Sequence, residues 1–145
     1  MALTLGQKAG WGLADLGVVV FVVVKQLLVL AFLTSYLGVP AGVAGAATTA
    51  VLVFDMITDP VIGYLSDRTE SRHGRRAPWM GVGAVVMVAG MVGLFAVPAG
   101  LDGVAALPWV LGFFCLVTVG FTMVAIPYGA LAGEITGDAG ERSQL

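Results

Sequence analysis

The segment VLVFDMITDPVIGYLSDRTESRHGRRAPW, residues 51–79, decides the fold class of this chain. It opens with a long apolar run that contains two acidic residues, Asp55 and Asp59, and it continues into a polar loop with four arginines. A second apolar run starts at Trp79. An apolar stretch of about 20 residues is long enough to cross the hydrocarbon core of a bilayer as a helix. The segment therefore indicates a membrane-spanning helix that leads into a charged loop outside the bilayer.

The composition of the whole chain supports the same interpretation. Of its 145 residues, 59% are hydrophobic and 11% are charged. A soluble domain is about 45–50% apolar and about 25% charged, so a soluble domain is excluded and a lipid bilayer is the expected partner. The net charge of -2 argues against a nucleic-acid partner, because such proteins usually carry a basic surface.

The apolar runs predict an all-α polytopic membrane protein with four spans in one domain, residues 1–145. The spans are expected at about 15–37, 41–65, 79–97 and 107–133, with a polar loop at 66–78 and a polar tail at 134–145. Lys and Arg occur in the termini and in loop 66–78, and the other two loops have none. The positive-inside rule therefore predicts that both termini and loop 66–78 are cytoplasmic. Small residues at 42–50 and the GxxxG motif of Gly129 and Gly133 favour close helix contacts, within one bundle or in a dimer.

The second span contains two acids that share a helix face. Asp55 and Asp59 are four residues apart, and each charge near the bilayer centre costs about 2.5–3.5 kcal/mol to insert. We interpret the pair as a cation- or proton-binding site, and the alternative is a static ion pair that holds helices together. Pro60 cannot bond to the Met56 carbonyl, so that carbonyl and the hydroxyl of Thr58 are expected to be free. Such oxygen ligands suit Na⁺, but they equally allow H⁺ as the coupling ion. No organic cofactor and no resident metal are predicted.

Lys25 is a third ion within the apolar runs. If the first two spans form a hairpin around Pro40, Lys25 and Asp55 lie at the same depth, so Lys25 is a candidate charge partner for Asp55. A lysine that extends to the interface is the weaker alternative, because the position is in mid-span. Asp15 is either an exposed residue at a helix start or a polar group that lines a cavity.

Several motifs resemble one family of transporters. GYLSDRTESRHGRRAPW, residues 63–79, resembles the loop between the second and third helices of the major facilitator superfamily. Its length, with FDMITDPVIG before it, resembles the glycoside–pentoside–hexuronide cation symporters, the group of the melibiose carrier. The segments WGLADLG, AIPYGALAGEITGD and ERSQL, at 11–17, 125–138 and 141–145, resemble the same group.

This resemblance implies a fold of twelve helices, of which the present chain supplies the first four and lacks the rest. It implies a cation site on the second-helix aspartates, here Asp55 and Asp59, and a solute cavity to which Asp15 and Tyr128 are candidates. It also implies a cytoplasmic charge lock in the loop after the second helix. The lock residues are Gly63, Asp67, Arg68, Arg75 and Arg76.

The sequence thus predicts part of a secondary active transporter in the cytoplasmic membrane. It would couple a cation or proton to symport of a sugar, a glycoside or a similar small polar solute. The alternative is a four-helix membrane scaffold whose buried charges pair statically and which transports nothing. An enzyme is not expected, because no set of residues combines a nucleophile with a base.

Overall fold

The computed structural model describes residues 5–72 and 76–135, and these form four long helices. The helices are α1 (Leu5–Ala31), α2 (Ala41–Arg68), α3 (Ala77–Phe95) and α4 (Leu107–Ile135). A π-helical segment, Phe32–Tyr36, extends α1, and a short 3-10 helix, Gly103–Ala106, precedes α4. Residues 73–75 of the predicted loop, including Arg75, and residues 136–145 of the predicted tail lie outside the described residues.

Four described stretches are long and apolar enough to cross a membrane. They are Asp15–Tyr36, Ala41–Arg68, Ala77–Phe95 and Gly103–Ala130. Many of their large apolar side chains point away from the bundle, as expected where lipid is the solvent and the backbone bonds within each helix. These findings confirm the predicted all-α fold class with four membrane-spanning helices.

The closest helix contact joins α3 to α4, and glycines make it possible. A methyl group at Gly83 would lie 2.8 Å from the carbonyl oxygen of Gly120. A methyl group at Gly120 would lie 2.5 Å from the backbone nitrogen of Met87, and one at Gly90 would lie 2.8 Å from that of Val117. No real side chain fits at such distances, so the two backbones touch directly.

The small residues that the sequence singled out behave differently. Gly42, Gly45 and Gly129 have no heavy atom within 4 Å of an added methyl group. In the segment 42–50, Ala44 and Ala47 are buried in the bundle instead. Within the described part of the bundle, these glycines therefore make no close contact, whereas Ala44 and Ala47 do pack inside it. Close contact of the glycines with a second copy of the chain stays a prediction.

One end of the bundle is closed by contacts between its two loops. The amide of Gly103 donates a hydrogen bond of 2.8 Å to the carbonyl oxygen of Leu37. Gly38, with φ 68°, lets the chain turn sharply between α1 and α2. Beside this turn, Phe32 packs edge-to-face on Phe95 with ring centroids 5.0 Å apart. This end lies opposite the arginine loop, and it fixes the relative heights of α1, α2 and α4.

Candidate functional site

Both aspartates of α2 bond to the same hydroxyl of α4. The Oγ1 of Thr122 lies 3.2 Å from Oδ1 of Asp55 and 3.0 Å from Oδ1 of Asp59. Thr122 is 2% exposed, and both aspartates are half-buried. A hydroxyl has one proton to donate, so Thr122 satisfies one carboxylate at a time. Two like charges on successive helix turns repel each other, and a cation or a proton between them would remove that repulsion.

Thr58 lies beside this cluster, but its hydroxyl is not free. Its Oγ1 donates to the carbonyl oxygen of Asp55 at 3.1 Å, a bond within α2. The expectation of a free hydroxyl was therefore wrong, because threonine inside a helix commonly bonds to a carbonyl of the preceding turn. The oxygen keeps its lone pairs and can still accept. α2 continues through Pro60, which is exposed.

Lys25 of α1 is buried against α4, and among the described residues it makes no ion pair. Its side chain is 5% exposed, and its Nζ donates to Oγ1 of Thr118 at 3.4 Å. The ammonium also lies over two aromatic rings, 5.6 Å from the centroid of Phe114 and 5.2 Å from that of Phe121. Such distances allow a cation–π interaction.

Lys25 is nevertheless in the electrostatic field of the aspartates. The charges of Asp55 and Asp59 both act on its ammonium, although neither carboxylate is within salt-bridge distance. Its partner Thr118 is one helical turn from Thr122 and on the same face of α4. α4 therefore carries two hydroxyls in line, one beside the cation of α1 and one beside the acids of α2.

The two candidates for a solute cavity lie closer to the arginine loop. Asp15 is exposed on α1, and Tyr128 is half-buried on α4. The charge of Asp15 acts on the phenol of Tyr128 through space. Tyr128 follows Thr122 by six residues, about 9 Å along the helix axis. Tyr128 is therefore separate from the cluster around Thr122.

In the charged loop, the structure pairs two of the predicted lock residues. Nη2 of Arg76 lies 3.1 Å from Oδ1 of Asp67, with 14% of the arginine and 62% of the aspartate side chain exposed. Arg68 makes a different contact, since its guanidinium lies over the ring of Tyr64 at 4.3 Å. Arg75 is outside the described residues.

The helices on either side of this loop are also tied together. Gly63 faces α4, and a methyl group there would lie 3.5 Å from Cγ2 of Ile126. Trp79 at the start of α3 donates its Nε1 hydrogen to Oγ1 of Thr69 at 2.8 Å. Thr69 in turn donates to the Leu65 carbonyl oxygen at the end of α2. Sequence reasoning identified Trp79 only as the start of an apolar run and missed this link.

Sequence reasoning also missed both threonines of α4. A threonine in an apolar run has no charge, so its importance depends on which residues of other helices face it. The spacing of four residues between Thr118 and Thr122 was the available signal, because it places both hydroxyls on one face of a helix.

Comparison with known proteins agrees with this architecture. The MFS/sugar transport protein family matches residues 10–145. The uncharacterized symporter sll1374 of Synechocystis is 35% identical over 143 residues, which cover 95% of this chain and 26% of the relative. Two relatives from Escherichia coli are each 33% identical to the chain, the inner membrane symporter YicJ and YagG, whose provisional name is glycoside/cation symporter. Each of these matches covers 99% of this chain and 31% of the relative. None of the solved structures matches the chain.

The chain thus spans roughly 26–31% of the length of these relatives. The family match covers most of the chain, and the relatives are named as symporters rather than as enzymes. Four apolar helices of membrane length agree with a multi-pass protein of the inner membrane. The chain belongs to the glycoside–pentoside–hexuronide cation symporters, within the MFS/sugar transport protein family.

Proposed function

We propose that this chain forms one wall of a secondary active symporter that couples entry of Na⁺ or H⁺ to uptake of a small polar solute, a sugar or glycoside. The observation that carries the proposal is the shared contact of Asp55 and Asp59 with the hydroxyl of Thr122, inside membrane-spanning helices. Ionisable groups at that depth are costly and mark ion pathways. Further helices, such as the longer relatives have room for, would complete the cavity.

The chemistry of the cluster suits a small hard cation or a proton. Its members are carboxylate and hydroxyl oxygens, the ligands that such cations prefer. Thr58 would contribute an acceptor oxygen from the same turn of α2. When the coupling ion binds, it would remove the repulsion between the two aspartates of α2. Coordination of the same ion by the Thr122 oxygen would draw α4 toward α2. The ion would thus bind more tightly when α2 and α4 are close than when they are apart. This difference in affinity would link ion binding to closure around the solute.

The arginine loop would act as the gate on the cytoplasmic side. The Asp67–Arg76 pair joins the end of α2 to the start of α3, and its aspartate remains open to solvent. An exposed ion pair contributes only about 0–1 kcal/mol, so it can form in one state and separate in another at little cost. Arg68 and Arg75 would supply further charge to the same lock.

The proposed solute class follows from the family and from the polar side chains near the gate. Asp15 of α1 and Tyr128 of α4 supply a carboxylate and a phenol, and both groups can hydrogen-bond sugar hydroxyls. The name of YagG refers to a glycoside, which supports the same solute class for this chain.

Uptake into proteoliposomes tests the proposal, on a protein that carries this chain together with the helices that complete the cavity. A radiolabelled methyl glycoside should accumulate when a Na⁺ or H⁺ gradient is imposed, and Asp59→Asn should reduce gradient-driven uptake by a factor of ten or more. Asp102→Asn is the matched control, because Asp102 is an exposed loop acid. Uptake that ignores both gradients, or that survives Asp59→Asn, would contradict symport through this site.

The same experiment separates the symporter from the scaffold alternative. A scaffold with static charges would lose folding stability in Asp59→Asn and would transport nothing in the wild type. A symporter would retain its thermal unfolding midpoint to within a few degrees while it loses coupling.

A further inference from the structure

We propose that Lys25 is a tethered cation that competes with the coupling ion for Asp55 and Asp59. In this arrangement the α4 site made of Phe114, Thr118 and Phe121 holds the ammonium while the coupling ion is bound. The proposal rests on the proposed function, because it assigns a role to a residue beside the same pair of carboxylates.

The net charge of Lys25, Asp55 and Asp59 sets how many monovalent cations the cluster can bind. One ammonium and two carboxylates leave one negative charge, which a single monovalent ion neutralises. In the described part of the chain, Asp55 and Asp59 are the charged groups that act on Lys25. The groups that α4 presents to it, Thr118 and the two rings, are uncharged.

The contacts of Lys25 with α4 are weak enough for its ammonium to leave them for a second position, beside the aspartates. In the described part of the chain its one hydrogen bond, to Thr118, is long at 3.4 Å, and an ammonium has three hydrogens to donate. Hydrogen bonds to a carboxylate are about twice as strong as those to a neutral hydroxyl. At the aspartates the ammonium would therefore make stronger hydrogen bonds than the one it makes to Thr118.

The distance between the two positions is short. Thr118 beside the ammonium and Thr122 beside the acids are separated by one turn of α4, about 6 Å along its axis. The four-carbon stem of lysine is flexible enough to sweep such a distance. When a coupling ion is on the aspartates, like-charge repulsion keeps the ammonium away, and the faces of Phe114 and Phe121 accept it without removing oxygen ligands from the ion.

Two simpler roles of Lys25 disagree with the structure. A lysine that extends to the membrane surface would expose its amine, whereas this side chain is 5% exposed. A lysine that is a permanent structural counter-ion would lie within salt-bridge distance of an aspartate, and Lys25 does not.

Sodium binding to the purified protein in lipid nanodiscs tests the competition. The protein is titrated with NaCl by calorimetry, with choline chloride keeping the ionic strength constant. Lys25→Met should raise the affinity for Na⁺ by about tenfold or more, because a nearby positive charge has been removed. Lys25→Gln, which also lacks the charge but can still donate to Thr118, should behave in the same way.

Thr118→Val should have the opposite effect. It removes the hydrogen bond that holds the ammonium away from the aspartates, so the affinity for Na⁺ should fall about threefold. Thr49→Val is the matched control, since the Thr49 hydroxyl is exposed and bonds only to the Gly45 carbonyl of its own helix. In a Lys25→Met background, Thr118→Val should change nothing, because the group that it releases is gone.

The binding results distinguish a failure of the Lys25 competition from a failure of the proposed cation site. If Asp59→Asn abolishes Na⁺ binding while both neutral Lys25 variants bind like the wild type, the competition is disproved and the cation site stands. An equal effect of Thr118→Val in both backgrounds also disproves the competition. If no variant binds Na⁺, the competition between Lys25 and Na⁺ is disproved, and H⁺ is left as the coupling ion of the proposed site. If Asp59→Asn binds Na⁺ normally, the cation site itself is wrong and the role of Lys25 falls with it.

Discussion

At the scale of single residues, the sequence identified the charges of the site but not the uncharged groups that organise them. Asp55 and Asp59 could be found because charges are rare in apolar runs and because a spacing of four residues places both on one helix face. Thr122 could not be found, since its role depends on the rotation and height of α4 relative to α2. Those are set by packing between segments more than 60 residues apart.

The single hydroxyl of Thr122 leads to a prediction about cation binding. Thr122→Val should weaken Na⁺ binding by about tenfold, because hydrogen bonds to charged groups contribute about 1.5–3 kcal/mol and the side-chain volume is nearly unchanged. Thr122→Ser keeps the hydroxyl and should bind within about threefold of the wild type. Calorimetric titration in nanodiscs measures both, and equal binding by the Val and Ser variants would show that the hydroxyl is not part of the site.

At the scale of helices, hydropathy predicted the number and class of the elements but not their contacts. Long apolar runs and polar loops were sufficient to predict four spans. In lipid, a helix makes all its backbone hydrogen bonds within one segment, so each apolar run is expected to be a helix. The glycines that join α3 to α4 could not be distinguished from those that face outward. Gly83 and Gly129 look alike in sequence, and only the facing helix makes one of them indispensable.

This difference between glycines can be tested by stability. Gly120→Ala should destabilise the protein by about 1–3 kcal/mol, because the methyl group would lie 2.5 Å from the backbone nitrogen of Met87, which cannot move aside. Gly129→Ala adds the same methyl group where nothing lies within 4 Å, and it should be neutral or slightly stabilising. Thermal unfolding in detergent compares the two variants, and equal midpoints would rule out the close α3–α4 contact.

At the scale of the whole molecule, the positive-inside rule predicts the orientation that the transport proposal requires. In a Cys115→Ala background, which has no other cysteine, Glu70→Cys in the arginine loop should react with an impermeant maleimide only from the cytoplasmic side. Ala99→Cys, in the turn between α3 and α4, should react from the opposite side. Labelling of intact cells and inverted vesicles gives the answer, and reaction of Glu70→Cys in intact cells would reverse the proposed orientation.

The bundle is held together unevenly, which suits a protein that changes shape. α3 and α4 touch along their backbones, whereas α1 reaches α4 through long side chains, among them Lys25 and the Phe21 ring stacked 5.3 Å from Phe121. Contacts through flexible side chains tolerate small displacements better than contacts between backbones. Movement of α1 relative to an α3–α4 unit is therefore the change of shape that this packing permits most readily.

The bond between the aspartates and Thr122 also has a consequence for how the protein is made. The ribosome completes Asp55 and Asp59 before it reaches Thr122, which follows them by 67 and 63 residues. At about 5–20 residues per second, this interval lasts about 3–13 seconds. During that time α2 enters the membrane with two acids whose hydroxyl partner does not yet exist. The two carboxylates of α2 therefore depend on water or on the insertion machinery for their hydrogen bonds until α4 has been translated.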